Sequence, residues 1–391
     1  MKNEMPGNYS KKIFTLLLVL YPILSVYLVD FKFTKLSCAD TLLLILLPLL
    51  ILKLFKANQL KVEWDIWFIL IWCLFHFLIV SGVILDNVAE VFRDECHFML
   101  VLFLLAVLWP NIFDPDLGIK ALIIVSVISS IFLIIQFVLL HLFNVYLPGQ
   151  LQFFESLTAL TGHIRPFSFF SEPAAFGVYN SIGLAAILLK RKFELKYELV
   201  FAGIVTAALV LSTSTTSLGL MVIAYLYWLG ADLKKRLKYL LIFGVVFLPV
   251  VIIIEMKYSI FLTIYQHSFA GLFSGNYAHG LTNRVGELDA AMSFHSNSGI
   301  LVALVGTGMI SLSDFLFLPT IGRINIYYGI LGYVIFAVFF IKKFIKADYF
   351  GRTLFTIAII AAIFSETVFG IAMLWYMPYA LIGSNKTDGE K

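Results

Sequence analysis

The chain has 391 residues, 61% of them hydrophobic and only 13% charged, with a formal net charge of +4. So little charge beside 38 phenylalanines excludes an ordinary soluble domain and leaves no basic surface for a nucleic-acid partner; the apolar runs belong in lipid. In a bilayer every backbone N–H and C=O must be paired within its own segment or around a closed barrel. The runs here are continuous and about 16–24 residues long instead of alternating, so the expectation is an all-α polytopic integral membrane protein.

In chain order, about twelve spans meet the length criterion. They fall near residues 13–29, 39–55, 65–85, 97–113, 119–143, 174–189, 197–212, 217–231, 239–255, 324–341, 353–366 and 369–383. The first carries no small-residue cleavage pattern after it and reads as a retained span, not a removed signal peptide. Orientation follows from lysine and arginine. With the N-terminus inside, inner segments hold 21 of the 28 basic residues, and the outer segments hold Lys32, Lys35, Arg93, Arg165, Lys257, Arg284 and Arg323. Both termini are therefore expected in the cytoplasm. A further apolar stretch, Ser298 to Ile321, would make thirteen spans, put the basic cluster Lys342, Lys343, Lys346 and Arg352 outside, and is interrupted by Gly299, Gly306, Gly308 and Pro319. It reads as a re-entrant or interfacial element.

The whole of 1–391 is then one transmembrane domain with two large outer loops, 144–173 and 256–323. Loops of this length are usually functional, and both contain short amphipathic stretches, Phe153 to Leu160 and Tyr258 to Phe269, suited to a membrane surface. The cysteines Cys38, Cys73 and Cys96 show no metal or redox spacing. Cys38 and Cys96 both fall near the outer face, close enough in this topology for a disulfide to be considered.

The outward arginines carry the functional argument. Arg165, Arg284 and Arg323 lie in the two large loops, on the face where basic residues are disfavoured. A guanidinium offers a rigid fork of donors that matches phosphate oxygens in pairs and stays charged. Arginines gathered above a membrane bundle suit a lipid-linked phosphate or pyrophosphate. The plain structural alternative is local pairing: Arg165 with Glu172, Arg284 with Glu287 or Asp289, Arg323 with Asp314.

Four segments share a pattern. The first is Arg165-Pro166-Phe167-Ser168-Phe169-Phe170-Ser171-Glu172-Pro173, with Gly177 following. The second is the serine-rich turn Leu211 to Gly219. The third is Thr282-Asn283-Arg284-Val285-Gly286, with Gly306-Thr307-Gly308 downstream, and the fourth is Arg323-Ile324-Asn325-Ile326-Tyr327-Tyr328-Gly329-Ile330-Leu331-Gly332. In this order and spacing they resemble the superfamily of O-antigen polymerases (Wzy type) and O-antigen ligases. The first segment is the specific match. The serine-rich turn lacks the basic residue common in the family, and Arg323 stands where ligases and many polymerases have histidine.

The resemblance implies a GT-C-like helical fold in a bacterial inner membrane, with the two large loops periplasmic. It implies a metal-independent glycosyltransferase without cofactors, moving a growing glycan from undecaprenyl pyrophosphate to the next lipid-linked repeat unit. The partners would be that undecaprenyl-pyrophosphate-linked oligosaccharide and the lipid bilayer, with a chain-length regulator and a flippase as further candidates. The alternatives are ligation of the glycan to lipid A core and transport of a lipid-linked oligosaccharide. A transporter would be expected to show internal repeats or mid-membrane charge. Arg165 and Arg284 are expected on the pyrophosphate, with Arg323 as a third contact. Glu172 is a candidate general base or a support for Arg165. His163, His279 and His295 flank the arginines, and an unperturbed imidazole changes charge near neutrality, though a histidine in a loop is more often a bystander. Tyr277 is a candidate for stacking on a glycan ring. His76 and His141 fall inside apolar spans and read as hydrogen-bonded structural residues.

Overall fold

A computed structural model describes residues 7–31, 34–55, 60–83, 88–149, 165–190, 192–233, 286–291, 299–309 and 318–384, with single positions 236, 252, 256 and 293 besides. In order, the elements are α1 (Gly7–Leu24), an antiparallel ribbon of β1 (Leu28–Phe31) and β2 (Thr34–Ser37), α2 (Cys38–Phe55), α3 (Trp64–Val83), α4 (Val88–Phe103), a π turn (Leu104–Leu108) and α5 (Trp109–Ile112). There follow α6 (Pro115–Phe143), α7 (Pro173–Lys190), α8 (Leu195–Leu211), α9 (Thr215–Ala231), α10 (Ile300–Val305), α11 (Thr320–Lys346), α12 (Tyr349–Phe364) and α13 (Met373–Ser384). The protein is helical and membrane-embedded. α2, α6, α7 and α11 are long and apolar enough to cross a bilayer, and α3, α9, α12 and the α13 segment are shorter apolar helices.

Local chemistry sets the helix starts. Ser37 precedes α2, and its hydroxyl accepts from the Asp40 N–H (3.0 Å) while donating to the Asp40 carboxylate (2.5 Å), a reciprocal cap. Asp114 takes the Leu117 N–H at 3.2 Å ahead of Pro115 in the first position of α6, where a missing N–H costs nothing. Asp348 takes the Gly351 N–H at 2.7 Å before α12, and Ser214 caps α9.

Two compact units emerge. One comprises Met1–Leu122, Glu287–Phe355 and Ser365–Lys391; the other comprises Ile123–Gly286 and Thr356–Phe364. Within the first unit, α2 shows Leu42, Ile45, Leu49 and Leu52 on its exposed side, and α11 shows Ile330, Val334, Val338, Ile341 and Ile345. Apolar faces of this kind are what lipid covers. At one end of this unit Lys343 is buried and pairs with Glu63, and with Asp65 at 3.1 Å; Lys342 also pairs with Asp65.

The π turn has an identifiable cause. Pro110 has no N–H to give the carbonyl four residues back, Ala106, and that carbonyl instead accepts the Glu63 N–H at 2.8 Å. Asn111, just beyond, donates to the Lys61 carbonyl at 2.7 Å and accepts the Lys61 N–H at 3.0 Å.

Several expectations change here. The fourth helix begins at Val88, before the apolar run at 97, because the amphipathic stretch ahead of it is already helical. Pro173 and Thr320 to Arg323, drawn as loop ends, lie in α7 and α11. The ribbon Leu28–Ser37 was not foreseen. All three cysteines are free, so no disulfide joins Cys38 to Cys96. Within Ser298 to Ile321, the only described helix before Thr320 is the six-residue α10, followed by Gly306 and Gly308 with φ of +81° and +78°. The proposed span 239–255, position 252 apart, and most of the loop 256–323 lie outside the described residues.

Candidate functional site

In the unit built from residues 123–286 and 356–364, the segment from Arg165 to Pro173 is fixed from beneath. Ser168 is fully buried and sits in the left-handed region (φ +57°), a conformation that needs local compensation in a non-glycine residue. The compensation comes from α6. The Ser168 N–H donates to Gln136 Oε1 (2.8 Å) and its hydroxyl to the Ser129 carbonyl (2.7 Å). The other end of the Gln136 amide donates to the Leu147 carbonyl at 2.9 Å. One glutamine thus ties both stubs of the loop, 144–149 and 165–172, to the same helix. Gly149 permits this, since a Cβ there would meet the Ser168 carbonyl carbon at 2.6 Å.

Aromatic packing sets the rest of the segment. Phe169 stacks on Phe132 with centroids 4.3 Å apart, and Phe170 is buried against Phe176 and Tyr179. Glu172 then starts α7: its carbonyl accepts the Phe176 N–H at 3.1 Å, Pro173 takes the first helical position, and the half-buried Glu172 carboxylate sits where the helix dipole favours an anion. Arg165 is exposed.

α7 is buried from Pro173 through Ile187, so its polar residues need partners. Asn180 Oδ1 accepts from Ser129 (3.1 Å) and Ser130 (3.4 Å), and its amide donates to the Phe176 carbonyl (3.0 Å). Against the same helix lies the serine-rich turn. Ser217 donates to the Pro173 carbonyl at 3.3 Å, and a Cβ on Gly177 would meet Ser217 Cβ at 2.8 Å and Cα at 2.9 Å. The first two sequence motifs, joined by a contact that spans 44 residues, are therefore packed together. Gly177→Ala is expected to destabilise by about 1–3 kcal/mol through overpacking, read as a lowered thermal midpoint in detergent. Gly219→Ala, with nothing within 4 Å of its Cβ, serves as the tolerant control; equal midpoints would show that the α7–α9 contact is not tight.

In the other unit, Arg323 lies in the first turn of α11. It pairs with Glu366, 43 residues on, and its Nε donates to the Leu318 carbonyl at 3.1 Å. Asp314 lies outside the described residues. Both side chains are partly exposed, and Tyr327 lies beside Arg323. The Gly306-Thr307-Gly308 segment downstream of the third motif meets the fourth here, while Thr282 to Val285 lie outside the described residues. The Thr307 N–H donates to the Ile326 carbonyl and the Gly308 N–H to the Tyr327 carbonyl, both at 2.9 Å, where α11 is interrupted at Gly329 (φ +62°). An extended strip thus repairs the hydrogen bonds that the helix break leaves open.

Arg284, His163, His279, His295 and Tyr277 lie outside the described residues. Two polar clusters were not anticipated, both in the first unit. Asp40 is buried and receives the Tyr21 hydroxyl, the Ser37 hydroxyl and His97 Nε2 at 3.0 Å. His76 and Glu95 face each other at 3.7 Å beside Tyr328. Polar residues inside apolar runs were the available signal; Gln136 and His76 qualify, whereas Glu95 lies in the charged stretch Arg93-Asp94-Glu95 ahead of the fourth run. Comparison with protein-family models, with curated proteins and with solved structures gives no match.

Proposed function

We propose that this protein is a polysaccharide polymerase of the O-antigen or capsule type, an inner-membrane glycosyltransferase with about twelve spans and cytoplasmic termini. It transfers the growing glycan from undecaprenyl pyrophosphate to the next lipid-linked repeat unit at the periplasmic face. The observation that carries this reading is the clamp on the first motif. Gln136 and Ser168 hold the Arg165–Pro173 segment on α6, α7 starts directly behind it, and Arg165 is left exposed.

In the reaction, the acceptor hydroxyl attacks the anomeric carbon of the donor sugar. The bond from that carbon to the pyrophosphate oxygen breaks, and the hydroxyl proton passes to a base. Charge grows on the departing pyrophosphate, so preplaced guanidiniums stabilise the transition state more than the ground state. Arg165 and Arg284 take that role in this proposal, with Arg323 as a third contact. Glu172, at the start of α7, is the nearest carboxylate along the chain to Arg165 and acts as base or as its orienting partner.

The test is a surface-glycan gel on the source bacterium with this gene deleted and then restored. Glycans capped at a single repeat unit, lengthened again by the wild-type gene, support the polymerase. Full-length chains held on the lipid carrier and never moved to the core identify a ligase. Repeat units confined to the inner leaflet identify a transporter, and an unchanged ladder removes all three.

A further inference from the structure

His76 on α3 and Glu95 on α4 are both buried, at 2% and 0% exposure. His76 Nδ1 and Glu95 Oε1 are 3.7 Å apart, and neither atom has a hydrogen-bond partner among the described residues. The other atoms of both groups are committed. His76 Nε2 lies 2.6 Å from the Val305 carbonyl, and a carbonyl only accepts, so Nε2 carries a hydrogen. In a neutral ring Nδ1 is then a bare lone pair. Glu95 Oε2 accepts the Tyr328 hydroxyl at 3.0 Å, and the Met309 N–H also serves the carboxylate. An ionised Glu95 would leave Oε1 bare as well.

Two acceptors facing each other in a buried site lose their hydration and gain nothing from each other. A single proton on either atom resolves this, turning the repulsion into an attraction that draws the pair in from 3.7 Å to hydrogen-bonding distance. Written as a carboxyl donating to Nδ1 or as an imidazolium donating to Oε1, the composition is the same, and the proton belongs to the pair. The surroundings leave the pair to itself. Trp72 stacks on His76 at 5.1 Å and the Tyr328 ring lies 4.7 Å away. The titratable groups that act on it are Cys73 on α3, Asp94 and Cys96 on α4 and Tyr328 on α11, while the basic side chains nearest along α4, Arg93 and His97, are engaged by Asp94 at 2.7 Å and Asp40 at 3.0 Å. The Tyr327 carbonyl is a second backbone acceptor beside the ring.

We propose that His76 and Glu95 form a buried proton-binding site, one proton held between Nδ1 and Oε1, that fastens the helix break at Gly329 to α3 and α4. Each hydrogen bond of the pair reaches the break or the strip that repairs it. Val305 ends α10 just before Gly306, Met309 ends the strip, and Tyr328 adjoins Gly329. Arg323 sits on the portion of α11 ahead of the break, so the proton bears on how that portion is held. The inference is independent of the sugar chemistry above and stands or falls without it.

The test uses purified full-length protein in lipid nanodiscs, with ¹⁵N-labelled histidine and the His76 resonances assigned by their loss in His76→Gln. The expected result is a wild-type Nδ1 signal displaced from the bare position by the shared proton, returning to bare in Glu95→Leu. A bare Nδ1 in the wild type overturns the proposal. Thermal midpoints provide the second reading. His76→Leu and Glu95→Leu are each expected to lower the midpoint, while the double variant loses less than their sum, because removing both partners strands neither. Glu95→Gln, whose amide can donate to Nδ1, stays near wild type. Strict additivity overturns the pairing, and a midpoint raised by sodium or a divalent cation in wild type but not in Glu95→Gln overturns the proton in favour of a cation.

Discussion

A chain carrying Arg165→Ala is expected to insert and accumulate as the wild type does, yet to polymerise roughly 10²–10³-fold more slowly, the scale for losing one preplaced donor to developing charge. Normal accumulation follows from exposure: the side chain lies on the surface, while the fold of the segment rests on Ser168, Phe169 and Phe170 beneath it. Arg165→Lys keeps the charge and loses the planar fork, so its rate should fall between the two. The check is the glycan ladder of the deletion strain restored with each variant, read beside the amount of protein in the membrane. Wild-type ladders from Arg165→Ala would remove this side chain from the reaction. Poor accumulation of the variant would instead assign it to the fold.

Gly329→Val is expected to give almost no folded protein. Two costs combine at this position. The backbone has φ +62° and ψ −165°, a region reserved almost entirely for glycine, and holding a branched side chain there costs about 1–3 kcal/mol by itself. A Cβ would also meet the Leu304 carbonyl oxygen at 2.5 Å and the Gly306 N at 2.6 Å, and backbone atoms cannot rotate aside as a side chain would. Gly370→Val separates the two costs, because Gly370 has φ +66° but nothing within 4 Å of its Cβ. It should be weakened yet recoverable. Monodisperse yield after detergent extraction is the measurement, and equal yields for the two variants would mean the close approach of Gly306 and Gly329 is not tight.

Much of the local structure was legible because it is written in neighbours. Apolar runs near 39–55, 119–143 and 174–189 became Cys38–Phe55, Pro115–Phe143 and Pro173–Lys190, and the prolines at 115 and 173 mark the starts on stereochemical grounds. The glycine pair at 306 and 308 signalled an interruption that the backbone angles show. Contacts between distant segments were not legible. Arg323 meets Glu366 across 43 residues, His76 meets the carbonyl of Val305 across 229, and Tyr328 meets Glu95 across 233. Helical periodicity fixes which residues share a face, but says nothing of which other helix that face will touch. His76 reads from the sequence as a hydrogen-bonded structural residue, and it is one, but its partner, the Val305 carbonyl, could not be named for this reason. The same holds for Gln136, whose two bonds to the loop are invisible in a run that reads only as apolar helix.

The π turn at Leu104–Leu108 acts as a phase shifter. A wide turn holds one residue more than an α-helical turn, and each residue rotates the chain by about 100°. The residues before it, Glu95 and His97 among them, and those after it, Trp109 to Ile112, are therefore aimed by two separately indexed cylinders joined end to end. Excising one residue from the five would restore the α-helical phase as far as Pro110, but would swing Asn111 away from Lys61. What those five residues encode is an angle, and lengths of sequence that look interchangeable in an apolar run are not interchangeable there.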